Sequence, residues 1–136
     1  MRRLTAALSL LILSACASSS VAPSTPFSRE VVMAQGATAS VTSGLTLTFV
    51  GVTGDSRCPA DANCIQGGDA LVQLQASAGG SSHEIELHTG NQQPVTAGGV
   101  TYELVRLIPY PFSSRTIDAG DYRATVRLRQ GSGGPP

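Results

Sequence analysis

Four oxygen-bearing side chains crowd one short stretch of this sequence: Asp55, Asp61, Asn63 and Asp69, with Arg57 and two cysteines, Cys58 and Cys64, set among them. Hard cations such as calcium take several oxygen ligands, so calcium binding is the first chemistry to weigh. The spacing argues against it, because Asp61-x-Asn63-x leads to Ile65, where a calcium loop would carry a further oxygen. We expect instead a closed structural loop without metal or cofactor. In it Asp55, Asp61 and Asn63 cap backbone amides, Pro59 stiffens the ring, and Gly67-Gly68 releases the chain into the next strand. Any binding by this loop would draw on Asp55, Arg57, Asp61, Asn63 and Asp69, joined by Tyr110 and Phe112 of the later segment Pro109-Tyr110-Pro111-Phe112.

The segment His83-Glu84-Ile85-Glu86-Leu87-His88 is the other concentration of ligand-type residues. On a strand His83 shares a face with Ile85 and Leu87, whereas Glu84, Glu86 and His88 share the opposite face, so the two histidines cannot serve one metal. A surface metal site on Glu84, Glu86 and His88 is the sharper reading; a solvated face paired to arginines is the expected one. The spacing is not that of the helical HExxH zinc motif. Gly54-Asp55-Ser56 is similar to the opening of the GDSL hydrolases, but those enzymes use a larger α/β fold and a downstream Asp-x-x-His, and this chain has no such pair. With no paired groups at catalytic spacing, we expect a protein that is not an enzyme. Tyr110 and Phe112 are expected to fold down and close the end of the core, exposure being the alternative that suits a partner contact.

The elements that must position these residues begin after an unusual start. Met1-Arg2-Arg3 precedes the apolar residues 4–13 and then Leu13-Ser14-Ala15-Cys16, the order of a cleaved export signal. The apolar run is about half of the roughly 20 residues that a spanning helix needs. Leu-Ser-Ala-Cys resembles the lipobox of bacterial lipoproteins, which implies that residues 1–15 are removed and that Cys16 carries covalent lipid. Two or three acyl chains anchor a protein stably where one does not. Ala17 stands where an inner-membrane retention aspartate would, so outer-membrane attachment is expected in a cell that has one. Residues 16–28 then read as the lipidated cysteine and a tether, 29–130 as one β domain, and 131–136 as a disordered tail.

Cysteine parity agrees with the anchor. The chain has three cysteines, and if Cys16 bears lipid, Cys58 and Cys64 can close on each other in an oxidising compartment. A ring that small gives only about 2 kcal/mol in the chain-entropy model, so it shapes a loop more than it supports a fold. Without residues 1–15 the chain holds seven arginines, no lysine and nine acids, a net −2 that implies no nucleic-acid partner. The sign is uneven. Residues 30–99 hold one arginine and six acids, and residues 100–136 hold five arginines and three acids, which predicts cross-strand pairing between the halves.

Period-two alternation fills the remainder. Leu45, Leu47 and Phe49 share one face of their segment, and Tyr122, Ala124, Val126 and Leu128 share one face of theirs, leaving Arg123, Arg127 and Arg129 in solvent. Similar alternation runs through 70–76, 83–87 and 100–104, with weaker strands at 30–33 and 37–41 split by Gly36. About seven short strands and no helical stretch predict an all-β fold, a single antiparallel β-sandwich or small β-barrel. Tryptophan is absent, so Val, Leu, Ile and Ala must fill the core.

The stretch Asp55-Ser56-Arg57-Cys58-Pro59, followed by Cys64 and Gly68-Asp69-Ala70, resembles a motif of small exported bacterial proteins, many of them lipoproteins, in which DSRCP precedes a second cysteine and a G-[DEN]-A triplet. The likeness extends to the LxLxF strand before the motif, to Leu107-Ile108-Pro109-Tyr110-Pro111, and to the final strand opened by Tyr122. Gln66 stands where that family carries tryptophan. The resemblance implies a disulfide and a β fold but no activity. The functional expectation is therefore a membrane-anchored envelope lipoprotein whose β domain binds an envelope protein or ligand, or plays a structural part, without catalysis. The alternative is an inhibitor of an exported hydrolase, a lysozyme or a protease, with Arg57 beside the disulfide and Pro59 offered to a trypsin-like pocket.

Overall fold

The computed structural model describes residues 26–131, so the expected signal, Cys16 and most of the tether and tail lie outside the described residues. Eight strands follow in order: β1 (Phe27–Ala34), β2 (Thr38–Thr42), β3 (Leu45–Asp55), β4 (Ala70–Ala78), β5 (Ser81–His88), β6 (Val95–Ala97), β7 (Val100–Ile108) and β8 (Arg123–Gln130). A single turn of 3-10 helix at Ala119–Asp121 precedes β8.

The strands form two four-stranded sheets, ordered β1-β8-β7-β6 and β2-β3-β4-β5, with every pairing antiparallel. No ladder joins one sheet to the other, so the alternative between sandwich and barrel resolves as a sandwich. Alternation explains the packing. Leu45, Leu47 and Phe49 of β3 and Ala124, Val126 and Leu128 of β8 are buried from opposite sheets. Val72, Leu74, Ile85, Leu87, Tyr102 and Leu104 complete the same core, in which aliphatic side chains predominate around Phe49 and Tyr102.

Three boundaries differ from expectation. β1 begins at Phe27, inside the segment read as tether, because Phe27 pairs with Gln130 and packs against the core. β6 was not anticipated: with three residues it is too short to show a period. β3 runs on to Asp55 through two register shifts, between Phe49 and Gly51 and between Val52 and Gly54, which break the alternation at its distal half. Bulges of this kind re-aim a strand near its end. Here they deliver Asp55 to the end of the sandwich where the 56–69 segment and the 109–117 loop meet.

Candidate functional site

Arg57 organises that end. It is only 6% exposed, although arginine is rarely buried unless paired. Its Nε donates to Asp55 Oδ1 at 2.8 Å and its Nη2 to Asp55 Oδ2 at 2.6 Å, a two-point fork. The rest of the guanidinium reaches across to the other sheet's exit loop: Nη1 donates to the Leu107 carbonyl and Nη2 to the Pro109 carbonyl, each at 2.9 Å. The ring of Tyr110 lies 5.2 Å below the guanidinium carbon, a cation–π contact.

Asp55 is equally committed. Besides the fork it accepts the Arg57 backbone N–H at 3.2 Å and the Tyr122 hydroxyl at 2.9 Å. Burial alone would raise its pKa, but the hydrogen bonds from Arg57 and Tyr122 outweigh that and hold the carboxyl below the ordinary aspartate value. Burial, with the Asp55 carboxylate as hydrogen-bond partner, pushes the Tyr122 hydroxyl up to about 12. Asp55, Arg57 and Tyr122 therefore form a closed network joining the two sheets at one end.

The remaining acids of the segment serve separate joints. Asp61 accepts the Ser113 N–H at 2.9 Å and the Ser113 hydroxyl at 2.6 Å, while Ala60 N–H donates to the Pro111 carbonyl at 2.9 Å. These bonds fasten the small ring closed by the Cys58–Cys64 disulfide onto the 109–117 loop. Asp69 accepts Gly90 N–H at 2.7 Å and Thr89 Oγ1 at 3.0 Å, and meets His88 Nδ1 at 2.6 Å. Burial works against its ionisation, yet the Gly90, His88 and Thr89 bonds bring its pKa down to about 2. His88 is raised in turn, by its bond to Asp69 above all, and its Nε2 faces Glu86 Oε1 at 3.2 Å.

The four oxygen ligands weighed for calcium are thus dispersed: Asp55 to Arg57, Asp61 to Ser113 and Asp69 to His88, while Asn63 makes no side-chain hydrogen bond among the described residues and is exposed. The amide cap expected of Asn63 does not form, since its stretch of the ring faces solvent. Among the described residues no group of three or more His, Cys, Asp or Glu side chains is gathered for a metal. Glu86 pairs with His88 and with Gln73 of the neighbouring strand, not with arginines as the outer face of β5 was expected to do. The arginines are drawn to nearer acids: Arg127 to Glu30 and Glu103, Arg129 to Glu103.

Two further expectations change. Tyr110 and Phe112 do not close the core; they are 53% and 48% exposed, because inward-facing Leu107 and Tyr122 already occupy that end. Arg57 is not offered to a protease pocket, since its guanidinium is committed to Asp55 and two backbone carbonyls. The Ser56 hydroxyl donates to the Asp69 carbonyl at 3.0 Å and accepts the Asp69 N–H. His88 lies between two carboxylates, Asp69 at Nδ1 and Glu86 at Nε2.

Gly68 was read as a simple exit from the loop, and the geometry gives it a stricter role. A β-carbon there would lie 1.4 Å from the Ser56 carbonyl oxygen, so only glycine lets the two sides of the loop approach. Sequence reasoning missed Tyr122 as the Asp55 partner, although an inward tyrosine at a strand start needs a partner for its hydroxyl. It also missed Ile65, which is fully exposed on the disulfide ring. Comparison with family models, curated proteins and solved structures found no match to this chain.

Proposed function

We propose that this chain is a lipid-anchored protein of the cell envelope whose β domain binds a partner and catalyses no reaction. The lipobox-like Leu13-Ser14-Ala15-Cys16 supports the anchor, with outer-membrane attachment through lipid on Cys16. One observation carries the binding reading. The polar groups of Asp55, Arg57, Asp61 and Asp69 are all engaged by other groups of the same domain, whereas the apolar Ile65, Tyr110 and Phe112 of the same end are left exposed. Aromatic side chains on a rigid support are effective contact groups, because little conformational freedom is lost when they are covered.

The test compares chemical cross-linking and capture from native membranes by the wild-type chain and by Ile65→Ser/Tyr110→Ser/Phe112→Ser. The expected result is a discrete partner held by the first and lost by the second, with cooperative unfolding retained and the midpoint lowered only by the lost Tyr110–Arg57 contact. Identical capture by both overturns the reading. A captured hydrolase that loses activity on binding would make the chain an inhibitor acting through its aromatic end. Mass spectrometry of the purified protein is expected to show acylated Cys16 at its amino terminus.

A further inference from the structure

β6 covers only the first three residues of β7, pairing with Val100, Thr101 and Tyr102. β7 runs on to Ile108, laddered against β8 on one side from Thr101 onward except at Val105, but with no strand beside it on the other among the described residues. On that open side the Leu107 carbonyl is taken by Arg57; from Glu103 to Arg106 no backbone partner is present among the described residues. A register shift between Leu104 and Arg106 leaves both Val105 and Arg106 exposed, where regular alternation would turn one of them inward.

A groove of about 490 Å³ follows this edge, lined by Val105, Arg106, Ile108 and Tyr110 and by Thr89 and Gln92 of the β5–β6 connection. No acidic side chain lines it. Arg57, which also borders the groove, is neutralised by Asp55, but Arg106 has no carboxylate within ion-pair distance among the described residues. The groove therefore offers unpaired backbone groups, apolar side chains and one uncompensated positive charge.

We propose that the open edge of β7 is a strand-addition site that takes an extended, acidic segment of a partner polypeptide. Main-chain hydrogen bonds to those N–H and C=O groups of residues 103–106 that point away from β8 would supply affinity, and Val105, Ile108 and Tyr110 would receive alternate side chains. Arg106 would select a carboxylate. Bulges and charges also protect free edges from unwanted pairing. Arg106 is exposed as a protecting charge would be, but it also borders a groove beside three exposed apolar side chains, which a purely protective charge does not need. The inference rests on the reading of this domain as a binding module and names the kind of partner it takes.

Selection of a displayed library of short random peptides on the purified protein tests it. Enriched peptides are expected to be rich in β-branched residues and to carry Asp or Glu. They are expected to shift the backbone amide resonances of residues 103–108 and 89–92, and to bind about tenfold more weakly to Arg106→Glu. N-methylation of alternate peptide amides is expected to abolish binding. The absence of any enriched peptide, shifts confined to other surfaces, or indifference to Arg106→Glu and to N-methylation each overturns the proposal. A membrane partner that needs Tyr110 and Phe112 but ignores Arg106→Glu would retain the binding reading while removing strand addition, so the two fail separately.

Discussion

Remove the guanidinium of Arg57 and Asp55 is left as a nearly buried carboxylate with only the Tyr122 hydroxyl and the backbone N–H of residue 57 as donors, and the Leu107 and Pro109 carbonyls lose their side-chain partner. Breaking one side of a buried pair strands a charge in a poorly solvated place, and Arg57→Ala should lower stability by about 3–5 kcal/mol in urea unfolding. Arg57→Lys should recover little, since an ammonium cannot span the carboxylate and two carbonyls at once. The double variant Asp55→Ala/Arg57→Ala should lose less than the sum of the two single ones, because it strands no charge. Asp69 and His88 make a weaker, pH-dependent contribution. Asp69 has its pKa depressed from 3.8 to about 2, so its share of stability is present above about pH 4 and disappears as pH falls towards 2. His88 is raised from 6.5, so its share is full below that value and disappears as pH climbs through its folded-state pKa. Thermal unfolding followed against pH should show both losses, each below about 1 kcal/mol because the pair is partly in solvent. Asp69→Asn should remove its own share of the acid-side loss and shrink the one above pH 6.5, which Glu86 still sustains in part, and His88→Gln should remove the one above pH 6.5.

At the scale of elements, what could be read in advance was set by period. β3, β4, β5, β7 and β8 alternate cleanly where they face the opposite sheet, and Leu45, Leu47, Phe49, Tyr122, Ala124, Val126 and Leu128 are buried as their spacing predicts. β6 carries no period at three residues, and the distal parts of β3 and β7 slip phase at their bulges. The slip in β7 was nonetheless written in the sequence: Val100, Tyr102 and Leu104 alternate, and the next inward residue is Leu107, three positions on instead of two. The small ring of Cys58 and Cys64 was legible from cysteine parity. The partners of Asp55, Asp61 and Asp69 were not, because Tyr122, Ser113 and Gly90 lie 67, 52 and 21 residues away and only the sheet order brings them near. Local turn chemistry explains why an aspartate caps an amide, but not which loop supplies it.

Taken as a whole, the molecule has two unlike ends. β1 enters at Phe27 beside Gln130 and reaches Ala34 beside Arg123, the end where Ile108 leaves β7 and the Asp55–Arg57 network lies. The seven steps from Phe27 to Ala34 at about 3.3 Å each place roughly 23 Å between the point where the tether joins and the end that carries the aromatic loops. If Cys16 is lipidated and the tether keeps the Phe27 end against the bilayer, Tyr110 and Phe112 stand at the far end, towards whatever the envelope contains. The absence of tryptophan from the chain makes this measurable, because one introduced residue becomes the only indole reporter. In vesicles containing brominated lipid, Gly131→Trp next to Gln130 should be quenched markedly more than Tyr110→Trp. With Cys16→Ala, which removes the acylated thiol, both should behave as in lipid-free buffer. Equal quenching of the two reporters in the lipidated protein would mean that the aromatic loops lie on the bilayer, and would turn them from a partner surface into a membrane contact.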